Sequence, residues 1–408
     1  MTYGRGNPLR RMPPHRRVSI AGITAIGVTF GFARYGYGLF LPELRREFGL
    51  SVSMVGLIGS ATYVGFVVAL ALVGLLVSRF GPRPLVVAGG LSATAGMGLV
   101  AFARGPVTLT AGLILAGTSS GWVWAPYSDA VDRMVPPGLR ERVLGTMATG
   151  TAFAVAVAGP VALIAAQGTR WRYAWLAFAG AALLSTAYNA RVLPGGAHGG
   201  AAKESRPRVG PRWFARREAV PLYVTAMSYG LVGAVYWAFA VELISREAGG
   251  GAATAPLFWT AMGLAGTSGA LTGPAIVRYG LRWVHVRLFA GIAAAVALLG
   301  AAPGALGAVT LSAVIYGPCF MAGSGVLAVW SYQVFPEQPS TGFSATILAL
   351  GAGSVTGPAA LGLFSGQYGL RAAFLVTAVV AALTLFVRPR AAGTRTPPRT
   401  AVGQAGSP

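Results

Sequence analysis

Several kinds of residue are scarce in this chain. Among 408 residues there are one cysteine, three histidines and ten acids. The lone Cys319 excludes an internal disulfide and a cysteine-based metal site. The histidines, His15, His198 and His285, all fall in segments expected to be cytoplasmic. No glycine-rich phosphate loop with a trailing Lys-Ser/Thr occurs, which argues against a nucleotide-driven machine. Nor does any apolar stretch hold a nucleophile–base pair, so no enzyme and no cofactor are expected. Charged residues make up 10% of the chain, against about 25% in soluble domains. That deficit excludes an ordinary soluble globule.

Apolar residues fill the gap: 54% of the chain, with a mean hydropathy of +0.63. Long apolar runs alternate with short arginine clusters, the pattern of an integral membrane protein. Windows of roughly 20 residues predict twelve transmembrane helices, near 18–42, 53–78, 84–103, 107–130, 142–167, 171–193, 218–244, 254–277, 284–302, 305–332, 341–366 and 370–387. The first is too long for a signal-peptide core and reads as a retained helix. The doubled arginines at 10–11 and 16–17 read as a positive anchor in preference to an export signal. With the N-terminus inside, 24 basic residues fall in inner segments and seven in outer ones. By the positive-inside rule both termini are cytoplasmic. The net charge of +22 is then a topology signal spread over six segments, and nucleic acid is not an expected partner.

Shifting the chain on itself by 199 residues reveals a repeat. Arg79, Gly81 and Arg83 fall on Arg278, Gly280 and Arg282; Phe40, Glu43 and Leu44 fall on Phe239, Glu242 and Leu243. Arg172 and Ala174 fall on Arg371 and Ala373, and Gly159-Pro160 meets Gly357-Pro358 with a slip of one. The expected fold class is therefore all-α: twelve transmembrane helices in two parallel-repeat six-helix halves. The predicted divisions are a cytoplasmic tail (1–17), a first half (18–193), a cytoplasmic loop (194–217), a second half (218–388) and a second cytoplasmic tail (389–408). The Gly-, Pro- and Arg-rich loop reads as mobile, with a short surface helix at its end.

This architecture occurs in secondary transporters, and the chain resembles the major facilitator superfamily over about 18–388. That family carries G-x-x-x-D-R-x-G-R-[KR] between helices two and three. Here Gly74, Arg79, Gly81 and Arg83 match, Ser78 replaces the acid, and Pro84 stands at the last basic position. "DRMVPPGLRERVLG" (132–145) resembles the stretch after helix four, and "FPEQPSTGFS" (335–344) its second-half counterpart. The first helix with its exit and "GWVWAPYSDAV" (121–131) look most like the bacterial YbfB/YjiJ-type branch. The resemblance implies a bacterial inner-membrane transporter working by alternating access. It implies gating roles for Arg79, Gly81, Arg83, Asp129 and Asp132, and for Arg278 and Arg282 in the second half. The competing reading makes these arginines topology markers only. Val155 departs from the family's antiporter motif in helix five, whereas Gly353 fits in helix eleven. Export is only weakly favoured, and small-residue packing explains the Gly-Pro pairs as well.

One charge lies deep in an apolar window: Arg34, in "GFARYGYG" (31–38). Such a charge costs about 2.5–3.5 kcal/mol on insertion scales. Helical spacing aligns Phe30, Arg34, Tyr37 and Leu41; the same face of the seventh window is Tyr229, Gly233, Tyr236 and Ala240. The fold brings helices one, four, seven and ten to a central cavity, adding Trp124, Tyr127 and Trp330 as candidate substrate-binding residues. One cation among aromatic walls suits a small organic anion or an amphipathic carboxylate, held bidentately by Arg34. Snorkelling of Arg34, or pinning by Glu43 or Glu242, are the alternatives. No acid lies mid-membrane, so proton-coupled transport, exchange and facilitated diffusion all stay open. The expected partners are a small-molecule substrate, membrane lipids and a candidate coupling proton, on a monomer. A membrane sensor or lipid scramblase on a transporter fold is the second reading.

Overall fold

The computed structural model describes residues 12–165, 170–196, 210–247 and 253–389. Most of both predicted tails, most of the predicted loop 194–217, and His198 lie outside the described residues. Among the described residues the chain is helical, with no strand. The first half holds α1 (Pro14–Ile26), a π turn (Gly27–Arg34), α2 (Gly36–Leu39), α3 (Leu41–Phe48), α4 (Val52–Phe80) and α5 (Pro82–Ala101). It continues with α6 (Pro106–Thr118), α7 (Trp124–Met134), α8 (Pro137–Ala165) and α9 (Trp171–Val192). After the short α10 (Pro211–Phe214) come α11 (Ala219–Glu247), α12 (Thr254–Gly266), α13 (Thr272–Tyr279), α14 (Leu281–Ala301), α15 (Leu306–Val334) and α16 (Pro339–Thr384).

Seven of these helices are long and apolar enough to cross a membrane: α4, α5, α8, α11, α14, α15 and α16. Large apolar side chains such as Leu75, Ile164, Leu184 and Val277 point outward, as lipid contact requires. The first, fourth and eighth predicted windows are interrupted. Prolines explain two of the breaks. Pro126 and Pro274 each lack an N–H and press on the carbonyl four residues back; those carbonyls lie in 3-10 turns, Ser119–Trp122 and Thr267–Leu271.

The eleventh and twelfth windows run together in α16, broken only at Gly369 (φ 83°). Ser354 Oγ donates to the carbonyl of Gly230 at 3.3 Å, while Thr384 shares a hydroxyl contact of 2.6 Å with Ser228. Positions on either side of Gly369 thus reach the same level of α11, so the chain doubles back there. Ser51 caps α4 by accepting the Met54 N–H at 3.1 Å. Gly81 and Gly280, superposed by the 199-residue shift, both have positive φ (75° and 84°) and both end a helix. A side chain disfavours that conformation, which accounts for glycine at both.

Helices from before and after the 194–217 stretch meet through small residues. A Cβ on Gly56 would lie 2.2 Å from the Pro358 carbonyl oxygen, and one on Gly159 2.5 Å from that of Pro256. Such close approach is how helices associate in lipid, where burial of apolar surface gives no drive. The Gly-Pro pairs therefore sit at packed interfaces, α8 on α12 and α16 on α4 and α11.

Candidate functional site

The first window is where the helix geometry changes. The Tyr35 N–H reaches back five residues to the Phe30 carbonyl at 3.2 Å, closing a π turn that ends on Arg34. Such turns re-aim side chains and cluster at functional positions. Arg34 is half-buried. Its guanidinium carbon lies 4.1 Å from the Phe66 ring centre, 4.7 Å from Tyr63, 5.4 Å from Phe30 and 6.0 Å from Tyr35. Nη1 donates to Ser120 Oγ at 3.4 Å, and Nε is buried without a partner. Among the described residues no carboxylate pairs with Arg34. The charge is held by ring faces and by the hydroxyls of Ser120 and Tyr63, with Nε still unpartnered.

Tyr35 carries the site across the bundle. It stacks on Trp237 of α11 at 4.1 Å, and meets Phe320 of α15 edge-on at 6.5 Å. Phe320 in turn stacks on Tyr229 at 4.8 Å, whose hydroxyl donates to the Phe320 carbonyl. Trp237 Nε1 and the Tyr316 hydroxyl are buried beside this group without hydrogen-bond partners.

Of the predicted binding residues, Phe30 touches Arg34, and Tyr229 joins the group through Phe320. Tyr37 turns away: its hydroxyl donates to the Val55 carbonyl at 3.2 Å. Tyr236 stacks on Tyr316 at 3.6 Å and shares a 2.7 Å contact with Ser312. Tyr127 is buried in the first half and donates to Asn189 Oδ1; Trp124 packs near it. Trp330 is buried edge-on to His285 at 5.6 Å. Phe320 packs against Gly233, where a Cβ would lie 2.4 Å from its ring. Sequence reasoning missed Tyr35, Tyr63, Phe66, Ser120, Trp237 and Phe320. Tyr63 and Phe66 sit three apart in the second window and were visible as aromatic neighbours.

The predicted gating residues form local contacts. Asp129 pairs with Arg133 at 2.7 Å and Asp132 with Arg140 at 3.1 Å. Arg79, Arg83, Arg278 and Arg282 are exposed; Arg79 and Arg278 lie over the rings of Phe80 and Tyr279 at 5.4 and 5.3 Å. Arg216 bridges to Glu337 at 3.3 Å at this same end, and further charges bridge distant elements at the other end of the bundle. There Arg45 of α3 pairs with Glu242 of α11, which also takes Arg246 at 2.6 Å. Glu47 pairs with Arg172 and accepts the Trp171 indole N–H at 2.7 Å, and Glu247 pairs with Arg371 at 2.8 Å. Glu242 thus serves Arg45 and Arg246, not Arg34. Beside it, burial pushes the Glu43 carboxyl above the usual carboxylate range; a backbone hydrogen bond and Arg46 oppose this, and Glu242 adds to it.

A family profile described as "Uncharacterised MFS-type transporter YbfB" matches residues 26–388. Monocarboxylate transporter 3 of Rattus norvegicus is 32% identical over 203 residues, 47% of this chain and 40% of its own length. The hexuronate transporter of Bacillus subtilis is 27% identical over 150 residues, 37% of this chain and 36% of its own. The chain spans about two fifths of the length of the curated relatives it matches. A bacterial homolog of the human lysosomal transporter Spinster, solved inward-facing and unoccupied, aligns with a TM-score of 0.73 at 14% identity. That alignment covers 93% of this chain and 96% of the other.

Proposed function

Because the chain belongs to the YbfB-type family of major facilitator superfamily transporters, we propose that it moves a small organic anion across the inner membrane by alternating access, with Arg34 as the anchor for the solute's carboxylate. One observation carries this reading. Arg34 is a half-buried cation ringed by four aromatic faces, without a carboxylate among the described residues and with Nε unpartnered. A carboxylate would complete it through a paired hydrogen bond, the strongest contact a guanidinium makes. The monocarboxylate and hexuronate transporters among the relatives have acids in their names, which agrees with an anionic solute.

The same reading takes the chain as two six-helix halves of twelve helices, with both termini cytoplasmic. The matched conformations of Gly81 and Gly280 support the repeat. Halves rocking about Arg34 need one end shut while the other opens. The hydrogen bonds Arg45–Glu242 and Ser53–Gly362 join first and second halves at the end assigned to the outside.

The test is equilibrium binding of a panel of small carboxylates to purified protein, followed by the best of them on variants. Arg34→Gln should lose affinity at least tenfold, and Arg34→Lys should lose part of it, because the charge stays and the fork is lost. Near-normal affinity in Arg34→Gln would leave Arg34 as a snorkelling or structural residue.

A further inference from the structure

Where α3 meets the end of α11, a cavity of about 280 Å³ opens among Pro42, Arg45, Arg46, Glu242, Ser245 and Arg246. Three guanidinium groups and one carboxylate line it. The carboxylate, Glu242, is only 3% exposed and is shared by Arg45 from the first half and Arg246 one turn along its own helix. Arg45 Nε is committed to the Leu50 carbonyl at 2.9 Å, so its remaining face is what Glu242 holds. One turn deeper the two halves are in backbone contact. A Cβ on Gly38 would lie 1.7 Å from the Trp237 carbonyl oxygen and 3.3 Å from the Ala238 Cα.

The cross-half pair therefore closes a cationic chamber over a seam where position 38 has no room for a side chain. Glu242 offers Arg45 the same group that an organic acid carries. We propose that this chamber is an entry site for organic carboxylates, in which the incoming carboxylate takes the place of Glu242 on Arg45 and unlatches that end of the bundle. The exchange leaves the charge on Arg45 satisfied throughout. It trades a bond between the halves for a bond to solute, so opening is driven by ligand. Arg246, on the same helix as Glu242, then keeps the released carboxylate from being stranded. This inference rests on reading the solute as an anion, and it does not involve Arg34.

The test uses the full-length protein with Cys319→Ser and Ala238→Cys, purified in detergent. Its readout is the rate at which N-ethylmaleimide labels position 238. Benzoate should raise that rate about fivefold or more, a coupling of ordinary size. Benzamide, and chloride at the same ionic strength, should leave it unchanged. Glu242→Gln should label fast without any anion, Arg45→Gln fast and indifferent to benzoate, and Arg45→Lys at an intermediate rate. Arg246→Gln keeps the pair between the halves and should label slowly with the benzoate response intact.

Slow labelling in Glu242→Gln would overturn the latch. Equal acceleration by chloride would show charge screening alone and overturn the entry site. The benzoate response should persist in Arg34→Gln, and its loss there would move the response to the central site. Failure of the central-site reading shows separately, as unchanged solute affinity in Arg34→Gln.

Discussion

Arg34 was legible as a lone charge in an apolar window, and its nearest ring on the same helix, Phe30, followed from helical spacing. Its other neighbours did not. The π turn adds a residue to one helical turn, which brings Tyr35 to the guanidinium and sends Tyr37 toward the Val55 carbonyl. No periodicity rule signals that insertion. Phe66, the closest ring, lies on α4, and contacts between helices are invisible to a face-by-face reading of one. Replacing Phe66 by Leu removes a cation–π contact worth about 0.5–2 kcal/mol while keeping an apolar side chain. Because that ring also steadies the guanidinium's orientation, the variant should bind solute several-fold more weakly, with unchanged yield of inserted protein. Titration of purified Phe66→Leu beside Arg34→Gln measures this. An effect as large as that of Arg34→Gln would mean the ring itself contacts solute.

Most helices were predicted within a few residues, because apolar length is a strong signal and lipid leaves the backbone few alternatives. The breaks at Pro126 and Pro274 were readable from proline's missing N–H, although the windows were drawn straight through them. Glycines mark the tightest points. Gly81 has φ 75°, so Gly81→Ala should cost about 1 kcal/mol or more and lower the melting temperature in detergent; Gly280→Ala should do the same. Gly38→Ala acts differently. Its methyl group would overlap the Trp237 carbonyl, so the seam between α2 and α11 cannot close. That variant should favour the arrangement open at this end, read as fast labelling of Ala238→Cys. Protonation works the other way. Burial raises the Glu43 carboxyl, so the buried, closed arrangement is favoured while Glu43 is neutral. Closure weakens as pH rises through that raised value, with Arg46 and Glu242 as the charged groups acting on it. Labelling at position 238 should therefore quicken with rising pH, after correction for the intrinsic reactivity of the thiol, and Glu43→Gln should flatten the profile.

For the molecule as a whole, membrane residence, helical architecture and family were all legible, since composition, the repeat and the Gly81–Arg83 loop carry them. Orientation rests on the arginine bias alone. Reporter fusions after residues 205 and 395 should report cytoplasm, and fusions after 48 and 249 the outside. A reading outside the cytoplasm at 205 would overturn the twelve-helix count, because every later window is counted from that loop. The pair joining α3 to α11 was not legible, because Arg45 and Glu242 are 197 positions apart and at unmatched places in the 199-residue shift. The solute was not legible either: a guanidinium among rings selects a charge and an apolar body, and many metabolites have both.

The fold-back at Gly369 bears on how the protein is made. Its two arms are joined by a single left-handed glycine, so no polar loop separates them during synthesis. Two arms so closely joined are expected to enter the lipid together, as one hairpin. In a Cys319→Ser chain stopped just after Gly369, a cysteine placed in the arm before it should stay open to a membrane-impermeant thiol reagent, whereas in one extended past Thr384 it should be protected.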